Sequence, residues 1–96
     1  MPHKAKLIPP DGIVSEILLP DDDAERLAML QNLVGGLLDV KPLANDLVMV
    51  MALPETVEEK NLPANDFATS LAFRARAIYA DEDVFGTVVV VHSDLV

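Results

Sequence analysis

Few residues in this chain could perform catalysis or bind a metal. The two histidines, His3 and His92, lie near opposite ends, and neither has a second possible metal ligand three or four residues further on. None of the serines, Ser15, Ser70 and Ser93, lies in the Gly-x-Ser-x-Gly pattern of a hydrolase nucleophile. The sequence has no cysteine, which excludes disulfides, thiolate catalysis and cysteine-ligated zinc. We therefore expect a non-enzymatic protein without a metal or other cofactor.

Two acidic triplets, residues 21–23 and residues 81–83, are further candidates for a metal site. Consecutive side chains on a helix or strand point in different directions, whereas a calcium loop needs alternating ligands and a glycine at a fixed position. We interpret the first triplet as the start of a helix and the second as a solvated loop. The pair Gly35-Gly36 lacks the spacing of a phosphate-binding loop and predicts the end of the same helix.

The charge of the chain indicates the kind of partner to expect. Sixteen acidic and seven basic residues give a formal net charge of −9. This charge disfavours direct nucleic-acid binding and favours a protein partner with a basic surface. In the second half, the close basic pair either forms ion pairs with the following acidic loop or contacts an anion or a partner. The candidate contacts here are Arg74, Arg76, Asp81, Glu82 and Asp83.

The first half of the chain predicts a hairpin followed by a long helix. Apolar segments from Ala5 to Ile8 and from Ile13 to Leu19 flank a Pro-Pro-Asp-Gly turn, which favours a β-hairpin with a loop longer than two residues. Asp22 and Glu25 have the spacing of a capping box, and the helix continues to Val34. The apolar stripe expected on this helix consists of Ala24, Leu27, Leu30, Gln31, Leu33 and Val34.

Three strands are expected further along. Leu37 to Leu43 reads as a strand interrupted at Pro42, and because proline cannot donate a ladder hydrogen bond, that end lies at a sheet edge or a bend. Leu47 to Met51 is apolar throughout and predicts a strand buried on both faces. Thr87 to Val91 is β-branched throughout and predicts a central strand. Between the last two, residues 54–64 predict a polar, mobile connection.

A second, short helix is expected after that connection. Asn65 is a suitable N-cap, with Phe67, Leu71 and Ala75 on one face of the helix. The segment from Arg74 to Tyr79 could continue the helix or alternate as a strand, and the sequence leaves that choice open.

The element order is β-β-α-β-β-α-β, which is typical of an α+β, β-grasp-like fold. In it, a small mixed sheet packs on one main helix, the last strand lies beside the first, and a second short helix is added. We expect a single domain over residues 1–96 with an ordered core of about 5–92. With no apolar run near the roughly 18 residues of a membrane span, and no signal peptide, we expect a cytoplasmic protein.

Five short motifs are spread along most of the chain: Leu7–Gly12, Leu30–Gly36, Asp46–Val50, Leu62–Ala68 and Gly86–Val91. They resemble a family of small domains of unknown function found in bacterial phages, plasmids and other mobile elements. The resemblance implies a mobile-element setting, and it makes Asn65 the most conspicuous polar position. Asn65 could be a helix cap or a contact residue. The polar insert from Glu55 to Lys60 departs from the pattern of the family.

The leading functional hypothesis is an acidic accessory protein, of phage or plasmid origin, that binds a host or partner protein. The alternative is a homodimeric structural or regulatory domain that pairs through an apolar edge strand. A small-ligand binder is the third hypothesis and requires a pocket of converging polar groups.

Overall fold

The computed structural model describes residues 2–96, which form one antiparallel sheet with helices on both faces. The strands are β1 (His3–Ile8), β2 (Ser15–Leu19), β3 (Leu38–Pro42), β4 (Leu47–Ala52) and β5 (Val88–His92). The helices are α1 (Asp23–Val34), α2 (Pro54–Lys60) and α3 (Asp66–Arg74), and a short 3₁₀ turn covers Ser93–Leu95. The strand order is β2-β1-β5-β4-β3. The expected α+β fold, with a small sheet packed on a main helix, is confirmed.

The last strand lies beside the first, as expected, and occupies the centre of the sheet. The sheet differs in one detail from the mixed sheet that the sequence suggested, because every pairing among residues 2–96 is antiparallel. The reason lies in the long connection of residues 53–87. It leaves β4 and enters β5 at the same end of the sheet, so that β5 runs antiparallel to β4 and also to β1.

The two central strands divide the core into two apolar layers. Val48 and Val50 of β4, with Val89 and Val91 of β5, face α1. Met49 and Met51 of β4, with Val88 and Val90 of β5, face α3. Because side chains alternate along a strand, a strand covered on both faces must be apolar throughout. The predictions of a doubly buried β4 and a central β5 are confirmed.

Helix α1 begins and ends where the sequence indicated. The Asp22 carboxylate accepts a hydrogen bond from the Glu25 backbone N–H at 2.9 Å, and Gly35 ends the helix at a φ of +94°. The predicted apolar stripe is only partly right. Leu30 and Val34 are buried, but Leu27 is 48% exposed, whereas the neighbouring Arg26 is only 7% exposed.

The burial of Arg26 follows from the backbone oxygens around it. Its guanidinium donates hydrogen bonds to the carbonyls of Pro20, Asp21 and Leu95, and to the Asp23 carboxylate. These bonds connect the start of α1 to the short segment that follows β2 and to Leu95 near the last residue. An arginine satisfied in this way occupies the inner face, and Leu27 is turned outward as a result.

Residues 54–64 are not simply a polar connection. Pro54 begins α2 at a position where its missing N–H costs nothing, and Asn61 ends the helix in the left-handed conformation. The Lys60 ammonium donates a hydrogen bond to the Gly35 carbonyl at the end of α1. The two helices therefore form one layer over the sheet, named here the α1–α2 layer (residues 21–36 and 54–61).

Candidate functional site

Helix α3, on the other face of the sheet, is fixed in place by Asn65. The Asn65 amide oxygen accepts a hydrogen bond from the Ala68 N–H at 3.0 Å, which caps the helix. Its amide nitrogen donates to the carbonyls of Ile8 and Gly86, at 2.9 and 2.8 Å. Asn65 is completely buried, so its side chain cannot reach a partner. The structure supports the helix-cap alternative for this residue, because a contact residue would need an exposed side chain.

The face that α3 turns toward the sheet differs from the face that we expected. Ala68 and Ala72 are fully buried and belong to the same apolar cluster as Met49 and Met51 of β4. Phe67, expected on the inner face, is 52% exposed instead. The face that carries the two alanines therefore points to the sheet, and Phe67 and Phe73 lie on the outer side of the helix.

The segment after α3 is neither helix nor strand. Residues 75–79 form a turn in which the Ala77 N–H donates to the Ala72 carbonyl and the Arg76 N–H to the Phe73 carbonyl. This is the Schellman arrangement, whose left-handed position usually holds glycine. Here it holds Arg76, at a φ of +60°. The other residues with positive φ between 2 and 96 are glycine, asparagine or aspartate, types that adopt this conformation more readily.

The turn opens onto a groove of about 850 Å³ that collects three cationic side chains. Arg74 and Arg76 come from the end of α3, and Lys41 comes from the edge strand β3. The groove is lined by Lys41, Phe73, Arg74, Arg76, Ala77, Ile78, Tyr79, Ala80 and Glu82. The structure thus brings the two predicted arginines together with a lysine from a distant part of the sequence.

The aromatic residues of the protein concentrate on this side. The whole sequence contains three phenylalanines, one tyrosine and no tryptophan. Phe67 and Phe73 are each 52% exposed and Tyr79 is 79% exposed, so that three of the four aromatic side chains project from α3 and the turn after it. We call the surface formed by Lys41, Phe67, Phe73, Arg74, Arg76 and Tyr79 the α3 surface.

The acidic loop borders the groove without neutralising the arginines. Within residues 2–96, no ion pair joins Arg74 or Arg76 to a carboxylate. The Glu82 carboxylate lines the groove but accepts a hydrogen bond from the Tyr79 N–H at 2.9 Å. Asp83 borders an adjoining smaller groove with Phe73 and Tyr79, and Asp81 lies exposed in the loop. In the described part of the chain, Arg74 and Arg76 therefore do not form the ion-pair cluster with the acidic loop that was one of the two alternatives.

The sequence analysis gave Arg74 and Arg76 as candidate contacts but not the other four members of the α3 surface, which are Lys41, Phe67, Phe73 and Tyr79. Phe67 could have been found, because a helix capped at Asn65 with alanines at positions 68 and 72 turns position 67 away from the sheet. Tyr79 follows a segment whose conformation was left open. Lys41 carries no local signal, since only the antiparallel pairing of β3 with β4 places it on the face that α3 covers.

The histidines lie apart and on opposite faces of the sheet. His3 pairs with Leu19 on the α1 side, whereas His92 pairs with Leu47 and has the same strand parity as Val90 on the α3 side. The His3 imidazole lies 2.8 Å from the Asp21 carboxylate, and this hydrogen bond lowers the pKa of Asp21. No group of three metal-ligating side chains occurs in residues 2–96.

A second cleft, of about 470 Å³, lies between α2 and the loop that precedes β5. Its polar rim consists of Asp39, Lys41, Glu58, Asn61, Glu82 and Asp83, around an apolar floor that includes Met51 and Val57. Four carboxylates and one lysine make this rim acidic. The cleft therefore shares Lys41 with the groove but differs from it in charge.

Comparisons with protein-family models, with curated proteins and with solved structures found no match for this chain. The resemblance to small phage and plasmid domains therefore stays a prediction. Among residues 2–96, no helix combines the length and apolarity that crossing a bilayer requires.

Proposed function

We propose that the protein is a non-enzymatic interaction module that binds a partner protein through the α3 surface. One observation carries the proposal: three of the four aromatic side chains project into solvent beside Arg74 and Arg76. Aromatic rings normally contribute most to a core, and here the core is aliphatic. Tyrosine and arginine are enriched among the residues that dominate binding energy at protein interfaces.

The proposal includes the setting that the sequence suggested. In it, the protein is an acidic accessory protein of phage or plasmid origin that acts in the cytoplasm on a host or partner protein. The acidic side chains of the α1–α2 layer would guide the approach of basic surfaces over a distance, while the α3 surface provides the specific contacts. Long-range charge accelerates association, whereas desolvated side chains determine the dissociation rate.

Affinity capture with matched variants tests this proposal. The double variant Phe73→Ala/Tyr79→Ala removes two exposed rings from the α3 surface and no buried side chain. The control variant Leu27→Ala/Leu37→Ala removes two exposed apolar side chains that lie outside the α3 surface. We expect a protein that the wild type captures from source-cell lysate to bind the α3 variant about tenfold more weakly and the control unchanged. Equal capture by both variants, or no captured protein at moderate salt, would contradict the proposal.

A homodimer is the second candidate, favoured by the exposed edge of the sheet. Strand β3 is an edge strand, and Val40 on it and Leu37 just before it are exposed. A groove of about 430 Å³ between β3, α1 and the end of the chain is lined by apolar side chains that include Leu27, Val40 and Val96. Light scattering discriminates the two candidates: a dimer that Val40→Lys dissociates supports this one, and a monomer at high protein concentration excludes it.

A further inference from the structure

We propose that the groove of the α3 surface binds an acidic peptide segment of the partner. Carboxylates of the peptide contact Lys41, Arg74 and Arg76, and an apolar side chain of the peptide packs against Phe73 and Tyr79. This inference rests on the proposed function, because it specifies the chemistry that the α3 surface recognises. The expectation from net charge concerned a basic surface of the partner, which the α1–α2 layer would attract, whereas the groove takes an acidic segment of the same partner.

The first argument is the availability of the three cations. The chain has seven lysines and arginines. Arg26 is buried in its own hydrogen bonds, and Lys60 donates to the Gly35 carbonyl on the other face of the sheet, so neither lies in the groove. Lys4 lies 3.9 Å from Glu16, and Lys6 lies on β1 outside the groove. Lys41, Arg74 and Arg76 line one groove, and none of them forms an ion pair within residues 2–96.

The second argument is the backbone conformation of Arg76. A non-glycine residue in the left-handed region is disfavoured by the contact of its Cβ with the backbone. Glycine would satisfy the Schellman turn without this cost. The arginine instead places a guanidinium at the groove, next to Phe73 and Tyr79. Strained conformations of this kind cluster at binding sites, and the observed strain is independent of the charge argument.

The third argument decides between an acidic peptide and a nucleic acid. Glu82 forms part of the groove wall, and Asp81 and Asp83 lie in the same loop. A long polyanion would extend beyond the three cations and meet these carboxylates as well as a net charge of −9. A peptide with a few carboxylates beside an apolar residue can place its charge on the cations alone. The combination of guanidinium groups with exposed aromatic rings suits such a mixed segment.

An array of short peptides tests the inference. The peptides range from strongly acidic to strongly basic, and each carries one leucine or phenylalanine. We expect the wild type to retain acidic peptides in preference to neutral and basic ones. Arg76→Gly should reduce that binding about tenfold, because it removes one charged hydrogen-bonding group.

Two features of the variants separate recognition from folding. Arg76→Gly relieves the left-handed strain and should raise the melting temperature by about 4 °C, so weaker binding cannot result from unfolding. Lys4→Ala, on β1, removes the same charge from the surface but lies outside the groove. It should leave acidic-peptide binding unchanged, which shows that position and not net charge determines recognition.

Three results would overturn the inference. The first is an array without acidic preference, the second is undiminished binding by Arg76→Gly, and the third is an equal loss in Lys4→Ala. If a single-stranded oligonucleotide binds more tightly than the acidic peptides, the groove is a nucleic-acid site, and the inference is also rejected. If captured partner protein still depends on Phe73 and Tyr79 while the array shows no acidic preference, the proposed function survives and this inference fails.

Discussion

The two helical layers of this protein cover the same sheet with opposite chemistry. The α1–α2 layer carries seven carboxylates and no aromatic side chain, and its two cations are both hydrogen bonded within the fold. The α3 side has exposed rings and cations that form no ion pair within residues 2–96. The α1–α2 layer packs on the sheet through large aliphatic side chains and has an acidic outer surface. Helix α3 packs through alanines and has its large aromatic side chains on the outer surface. Residues 65–87 carry four carboxylates and two arginines, so the negative net charge describes the first layer better than the second.

This difference has a structural origin. Helix α1 inserts Leu30 and Val34 into the core and lies over the broad face of the sheet. Helix α3 contacts the sheet through Ala68 and Ala72, so its position depends less on apolar burial and more on the polar bonds of Asn65. The two layers should therefore respond differently to the loss of an apolar contact and to the loss of a polar one.

Asn65→Ala should have the largest effect and should act on the α3 side. The substitution leaves the Ile8 and Gly86 carbonyls and the Ala68 N–H without their partner in a fully buried position. Because each unpaired buried group costs about 1–3 kcal/mol, we expect a loss of about 3 kcal/mol in the free energy of unfolding. Urea denaturation measures it.

The matched control for this prediction is Asn32→Ala, an exposed asparagine on α1. It should change the unfolding free energy by less than about 0.5 kcal/mol. A similar stability for both variants would show that water replaces the bonds of Asn65 and that α3 is held mainly by its alanines.

Arg26→Met should have the next largest effect and should act on the α1–α2 layer. The variant keeps an apolar stem but leaves the carbonyls of Pro20, Asp21 and Leu95 without their donor. These carbonyls lie near the surface and can be hydrated in part, so we expect a loss of about 2 kcal/mol. Thermal unfolding measures the change. A variant as stable as the wild type would mean that the burial of this charge contributes no net stability.

Much of α1 could be predicted from the sequence, whereas the candidate site could not. The cap at Asp22 and the glycine pair after Val34 act through residues close in sequence, and both were identified. The rotation of α1 about its axis was wrong because the acceptors of Arg26 include the Leu95 carbonyl, which is distant in sequence. Lys41 and Arg76 meet only because β3 pairs with β4 beneath the end of α3.

Arg76→Gly, unlike the two previous variants, should stabilise the fold. Relief of the left-handed strain should add about 1 kcal/mol to the free energy of unfolding. Asn61, at a φ of +51° after α2, provides the control. Asn61→Gly should gain less, since asparagine adopts this conformation more readily than arginine. Equal gains in chemical denaturation would indicate that Arg76 bears no special strain.

The smallest effect concerns pH and the start of the α1–α2 layer. The hydrogen bond from His3 lowers the pKa of Asp21 below its usual value of 3.8 in the folded state. The ionised carboxylate therefore contributes stability that is present above pH 3.8 and is lost as the pH falls through the lowered value. Because both side chains are substantially exposed, solvent screens the contribution and the effect is small.

A double-mutant cycle of His3→Ala, Asp21→Asn and the double variant tests this prediction. Urea denaturation above pH 3.8 and below the lowered pKa of Asp21 should show a coupling free energy between the two residues that disappears in acid. A coupling that persists below this pKa would mean that the contact between His3 and Asp21 does not depend on the charge of the carboxylate. This pair would then not make the stability of the α1–α2 layer sensitive to acid.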